Sequence, residues 1–234
     1  MGTPTFTNVT GEELALQDIL PVGENVPNGL DGVTFIQIQK LTAGAKTDGS
    51  IWFWMDYEEE DWLTGETITK YGWYDMLGTE LSTMTFKPGE GFWAKFPTGS
   101  SASFQYAGQV PDKDVYTTVN NGNTAMGNPF PYSLEIVGAT EMGITPVGEN
   151  VPNGLDGVTF IQFQKLTADA KTDGSIWFWM DYEEEDWLTG ETITKYGWYD
   201  MLGTVECDVT LNPGEGIWVK SPAECQFKFT AKDL

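Results

Sequence analysis

The chain has no histidine, and each of its 12 basic residues is lysine. Without an imidazole it lacks the commonest general base and the usual transition-metal ligand. Triad hydrolases of the histidine type and histidine-built zinc sites are therefore excluded. Bases are also scarce: 12 lysines face 35 acids, a formal charge of −23 in 234 residues. Such a surface repels phosphate backbones and anionic lipids, which argues against nucleic-acid binding. No apolar run approaches the roughly 18 residues of a membrane span, so no membrane insertion is expected. The chain opens with no charged n-region followed by an apolar stretch, so no signal peptide is expected in it. No stretch of a dozen residues carries a helical period; "GEELALQDI" at 11–19 reads as at most two helical turns. What remains is carboxylate, hydroxyl, lysine and aromatic chemistry. Ten Trp, nine Tyr and thirteen Phe, within 40% apolar content, suffice for a sizeable core.

What is present is repetition. Residues 21–79 recur at 146–204 with two differences, Ile38 to Phe163 and Gly44 to Asp169. An offset of 125 extends this pairing to both ends without a gap: "MGTPTF" at 1–6 falls on "MGNPFP" at 126–131, and "KPGEGFWAK" at 87–95 on "NPGEGIWVK" at 212–220. Units of this length are domains rather than solenoid or propeller blades. The expectation is an internal duplication, with repeat one at 1–109, repeat two at 126–234 and a junction at 110–125. Within the junction "DVYTTV" reads as a strand and "NNGN" as a turn, so the strand leads into repeat two and repeat one lacks its counterpart. Either the chain is a piece of a longer protein, or the domains share strands at the junction.

The local code is β throughout. Turn signals ("VPNGLDG", "KTDGS", "LTGE", "KPGEG") separate short runs rich in β-branched and aromatic residues. The predicted fold is all-β, two tandem antiparallel sandwich or open-barrel domains. The twice-repeated "IWFWMDYEEEDWLTGETITKYGWYD" reads as a long hairpin with its acidic stretch at the tip. Ile51, Phe53, Met55 and Tyr57 share one strand face; Trp52, Trp54 and Asp56 share the other. One face meets the core, and the other is either covered by a second layer or exposed as neighbouring indoles.

Both cysteines lie in repeat two, Cys207 and Cys225, where the 125-residue offset places Ser82 and Ser100 in repeat one. Paired replacement predicts a disulfide, worth about 3 kcal/mol in the chain-entropy model, and with it an oxidising compartment.

Three landmarks, "GNPFP" at 127–131, "IWFWMD" at 176–181 and "PGEGIWVK" at 213–220, resemble a β-rich module of bacterial secreted and cell-surface proteins. That module has a GNPYP-like opening turn, a YxWD-like central strand and a PGxGFxVK closing strand. Repeat one departs from it with "GTPTF" at the opening. The resemblance implies an extracellular unit and no catalytic residues.

Four functional classes follow. A non-catalytic spacer or adhesion unit of a secreted or surface protein is the leading expectation. Carbohydrate binding is the sharper alternative, because sugars stack on aromatic rings while carboxylates accept from their hydroxyls. Its candidate residues are Trp52, Trp54, Asp56, Trp62 and Trp73, with Tyr71, Tyr74 and Asp75, and in the second copy Trp177, Trp179, Asp181, Trp187 and Trp198, with Tyr196, Tyr199 and Asp200. The competing account of these aromatics is ordinary sheet core. Ca²⁺ held by the oxygens of "DYEEED" and "NGLDG" is a third candidate, although neither matches an EF-hand or RTX spacing. A glycosidase would need two carboxylates across a cleft, and nothing in the repeat forms one, so no enzyme is expected.

Overall fold

The computed structural model describes residues 5–40, 49–100, 103–138, 143–149, 151–166, 172–186 and 188–232. Among these the architecture is all-β, with antiparallel sheets none of which closes on itself. Each half carries a five-stranded sheet. In the first the spatial order is Thr5–Thr7, Gly91–Lys95, Gln37–Lys40, Trp52–Glu60, Thr67–Tyr74. In the second it is Gly122–Gly127, Gly216–Ser221, Gln162–Lys165, Trp177–Glu185, Thr192–Tyr199. Smaller sheets complete each half. Leu14–Ala15 pairs with Thr85–Phe86, and Leu20–Val22 with Ser103–Gln105. In the second half Leu134–Val137 pairs with Asp208–Leu211, and Cys225–Phe229 runs between Val115–Val119 and Ile144–Val147.

Strand alternation builds the core. In "QIQK" the central Ile38 is fully buried between half-buried glutamines, and in "GFWAK" Phe92 and Ala94 point inward. The inward residues of all three sheets of the second half meet in one cluster that includes Ile136, Phe163, Trp198, Val219 and Phe227. The expected helical turns at 11–19 are instead the strand Leu14–Ala15 and a single 3-10 turn, Leu16–Asp18. Leu14 and Leu16 both enter the core, an i, i+2 spacing that an extended chain satisfies and a helix does not.

Strand register corrects the gapless alignment at both ends. Thr7 lies opposite Gly91, whereas Gly127 lies opposite Gly216. The N-terminal offset is therefore 120 rather than 125, and the counterpart of "GNPFP" is "TNVTG" at 7–11. The chemistry agrees. Asn8 is buried and donates through Nδ2 to the Glu12 and Phe86 carbonyls at 2.9 and 2.7 Å, while its Oδ1 accepts the Thr10 N–H at 2.8 Å. Asn128 does the same with Tyr132, Leu211 and Phe130, at 2.6, 3.0 and 2.9 Å. The closing turns match too: Glu90 accepts the Lys87 N–H and pairs with Lys40 at 2.6 Å, as Glu215 does with Asn212 and Lys165 at 2.7 Å.

The junction strand Val115–Val119 pairs with Cys225–Phe229, and after the turn Gly122–Gly127 pairs with Gly216–Ser221. The halves touch where the Gly89 carbonyl accepts the Gly127 N–H at 3.1 Å. Beside this contact is a cavity of about 330 Å³ lined by Gly89, Glu90, Tyr116, Thr117 and Thr124 among others.

Candidate functional site

The hairpin forms in both halves with the same pairing, Trp54 opposite Trp73 and Trp179 opposite Trp198. These four indoles are core: Trp54 is 2% exposed, Trp73 0%, Trp179 1% and Trp198 1%. The indole N–H of Trp73 donates to the Ile19 carbonyl and that of Trp198 to the Ile144 carbonyl, each at 2.7 Å, so these two rings are anchored as well as buried, whereas the buried indole N–H groups of Trp54 and Trp179 have no partner among the described residues. Trp54 meets Trp73 edge-on at 5.5 Å and Trp179 meets Trp198 at 5.4 Å. Their assignment as ligand-stacking residues is therefore corrected. The opposite strand face is covered as well, because Phe53 and Met55 pack with Phe35, Tyr57 and Tyr74. A strand buried on both faces cannot display an aromatic row.

The other candidates are scattered. Trp52 and Trp177 are half-buried, with indole N–H groups shut away from solvent and from any partner among the described residues. Asp56 and Asp181 are exposed. Tyr71 is largely exposed and lies edge-on to Trp54 at 5.3 Å; Tyr196 makes the same contact with Trp179 but is half-buried. Lysines 70 and 195 sit over the Tyr74 and Tyr199 rings at 5.0 and 4.9 Å. Trp187 lies outside the described residues.

Trp62 stands apart. It is 91% exposed at the hairpin apex, next to exposed Leu63. The turn beneath it is built by Asp61, whose carboxylate accepts the Leu63 and Thr64 N–H groups at 2.7 and 3.0 Å, and Gly65 closes the turn at φ 73°. Hydrogen bonds from Thr64 and Leu63 hold the Asp61 carboxyl below the usual carboxylate range. Asp186 builds the same turn under exposed Leu188. Of the carboxylates expected to bind Ca²⁺, Asp61 thus serves a turn and Asp31 likewise caps Val33 and Thr34; Asp75, expected to bind carbohydrate, caps Thr79 and Glu80. Among the described residues no group of three acids or cysteines converges as a metal site.

The predicted disulfide is absent. Cys207 and Cys225 are both free and buried. Cys207 leads into the strand paired with Leu134–Val137, whereas Cys225 lies opposite Val119 in a different sheet. The expected pairing fails on register. Phe104 faces Pro21 as Phe227 faces Pro146, an offset of 123, so Ser100 is not the counterpart of Cys225. Ser82 does match Cys207, since the N–H of each bonds the preceding strand at Trp73 or Trp198. Burial pushes the Cys207 thiol up to about 12 and raises that of Cys225 as well, so both are poor nucleophiles.

One surface escaped the sequence reading. Gln162, Gln164, Trp218 and Lys220 share the outer face of the second five-stranded sheet, and Gln37, Gln39, Trp93 and Lys95 hold the same registers in the first. The signal was available as strict alternation in "QIQK", "GFWAK" and "GIWVK".

No family model, curated protein or solved structure matches the chain. Among the described residues no helix is long and apolar enough to cross a membrane.

Proposed function

We propose that this chain is a non-catalytic spacer or adhesion unit of a secreted or cell-surface protein, two tandem sandwich-like β units derived by duplication. The observation carrying the adhesive part is the exposed Trp62–Leu63 apex on a carboxylate-capped turn. A largely exposed indole beside an exposed leucine costs solvation free energy and favours contact with another surface. The second copy has the identical "DWLTGET" stretch, so two apices give avidity where both reach one surface. The backbone contact between Gly89 and Gly127 supports the spacer part, since it couples the halves. The resemblance to the bacterial surface module supports the extracellular setting; the free thiols lend no weight to an oxidising compartment.

The test is bead retention under flow on mucin, collagen and fibrinogen coats. Replacing Trp62, Leu63, Trp187 and Leu188 together by Ser should abolish retention on whichever coat holds the parent chain, with thermal unfolding unchanged. Equal retention of parent and variant on every coat would refute the adhesive reading.

A further inference from the structure

We propose that the outer face of the second five-stranded sheet is a binding groove for a neutral saccharide chain. The inference is independent of the hairpin apices. A groove of about 370 Å³ opens there, lined by Asn123, Gln162, Gln164, Thr172, Trp218 and Lys220. Its size falls within the roughly 300–1,000 Å³ of small-ligand sites. Register sets the arrangement: Lys220 lies between Asn123 and Gln162, and Trp218 lies beside Gln164. The groove therefore has an ammonium flanked by two primary amides and, two positions back on the same strand, a half-buried indole beside a third amide. Among the described residues the side chains of Asn123, Gln162, Gln164 and Lys220 make no hydrogen bond to another group of the protein. The neighbouring part of the sheet is closed, because Phe160 packs edge-on against Phe178 at 5.3 Å.

This chemistry suits a pyranose ring. Its C–H face stacks on an indole, and its hydroxyls both donate and accept, as primary amides do. Lys220 supplies donors, and no carboxylate lines the groove. The chain's charge of −23 repels polyanions, which selects neutral over uronate saccharides.

A comparison of the two copies supports the assignment. Outside the near-identical block, the strands "GFWAK" and "GIWVK" differ at their buried positions, Phe92 to Ile217 and Ala94 to Val219, yet retain the outward Trp and Lys. Divergence that only preserved a fold would drift on the outside and hold the core. Here the outward pair is held and the core has drifted.

The experiment is isothermal titration of the full chain with cellohexaose, mannohexaose, xylohexaose and chitohexaose, with polygalacturonate as the anionic arm. At least one neutral oligomer should bind, and Trp218→Ala should lower the molar stoichiometry by one. Gln162→Leu with Gln164→Leu, which leaves the indole in place, should weaken that site about tenfold, the equivalent of 1.4 kcal/mol. Trp62→Ala should leave the titration unchanged, which separates this site from the apex. Binding of none of the neutral oligomers, binding of polygalacturonate alone, a stoichiometry unmoved by Trp218→Ala, or an affinity unmoved by the glutamine variant would overturn the proposal.

Discussion

The two halves hold the same hairpin edge with different parts of the chain. In the second half the backbone of Gly138 does it: its N–H donates to the Cys207 carbonyl at 3.0 Å, and its carbonyl accepts the Trp198 N–H at 3.1 Å. In the first half no peptide group among the described residues occupies that place. The Gln17 side chain does, its Nε2 donating to the Ser82 and Trp73 carbonyls at 3.2 and 2.8 Å and its Oε1 accepting the Trp73 N–H at 3.1 Å. A glutamine amide stands in for a peptide. The cause is length, since Leu16 to Ile19 spans three residues and the equivalent Ile136 to Ile144 spans eight. A short connection cannot bring its backbone to the strand edge, so a side chain reaches across. An unpaired backbone group at a partly buried edge must be satisfied by something, and either solution serves.

The comparison is broken most strongly at Gln17. Gln17→Ala should destabilise the first half by about 2–3 kcal/mol, because it leaves the Trp73 N–H and the Ser82 carbonyl unpaired beside the core. Native-state hydrogen exchange gives the sharper reading: the Trp73 amide should exchange faster and the Trp198 amide should not change. Equal change at both, or none at Trp73, would show that the glutamine does not replace the peptide.

A second difference lies at the "PGEG" turns. Gly89 and Gly214 both sit in the left-handed region, at φ 77° and 80°. A β-carbon on Gly214 would meet nothing within 4 Å, whereas one on Gly89 would lie 3.1 Å from the Thr117 Oγ1 across the junction. Alanine at either position carries a backbone cost of roughly 1–2 kcal/mol. Gly89→Ala should cost more than Gly214→Ala in chemical denaturation, and only Gly89→Ala should loosen the contact between the halves. Equal costs would mean that the junction yields freely.

The strands and their alternation could be read from the sequence because β-branched and aromatic runs between Gly and Pro signals leave little else for the backbone to do. The hairpin "IWFWMDYEEEDWLTGETITKYGWYD" formed as expected. Whether Trp54 and Trp73 were grip or core could not be read, since a period of two identifies faces without saying what covers them. The answer lay in distant residues, Ile19 and Phe104 over Trp73 on one side and Phe35 over Phe53 on the other. The ends misled for a different reason. Near-identity across 21–79 invited one offset for the whole chain, but length changes near residues 16–19 and 96–104 shift the register there. A disulfide assigned from a shared offset inherits that error. The Asn8 and Asn128 match was hidden because "TNVTG" and "GNPFP" share the asparagine and little else.

The smallest predicted effect is common to both halves. Asp75 caps the turn at Thr79 and Glu80, and Asp200 caps the turn at Thr204 and Val205, through N–H bonds of 2.6 and 3.0 Å in each case. These bonds, that to Glu80 or Val205 foremost, lower both carboxyl pKa values from the ordinary 3.8. A group whose folded pKa is depressed binds fewer protons when folded. Its stabilisation is complete above the unfolded value and is lost as pH falls from near 4 through the lowered one. Relief of the −23 charge repulsion acts in the opposite direction over the same range, so the turn's contribution shows only as a difference between variants. The stability gap between the parent and Asp75→Asn, and equally that for Asp200→Asn, should narrow as pH falls from 5 to 2. The two should narrow alike although Glu80 in the first turn is Val205 in the second, because it is the backbone N–H of that residue, not its side chain, that holds the carboxylate. A gap that stayed flat would remove these carboxylates from the acid response, and a gap that narrowed at one turn only would show that the side chain at 80 or 205 matters after all.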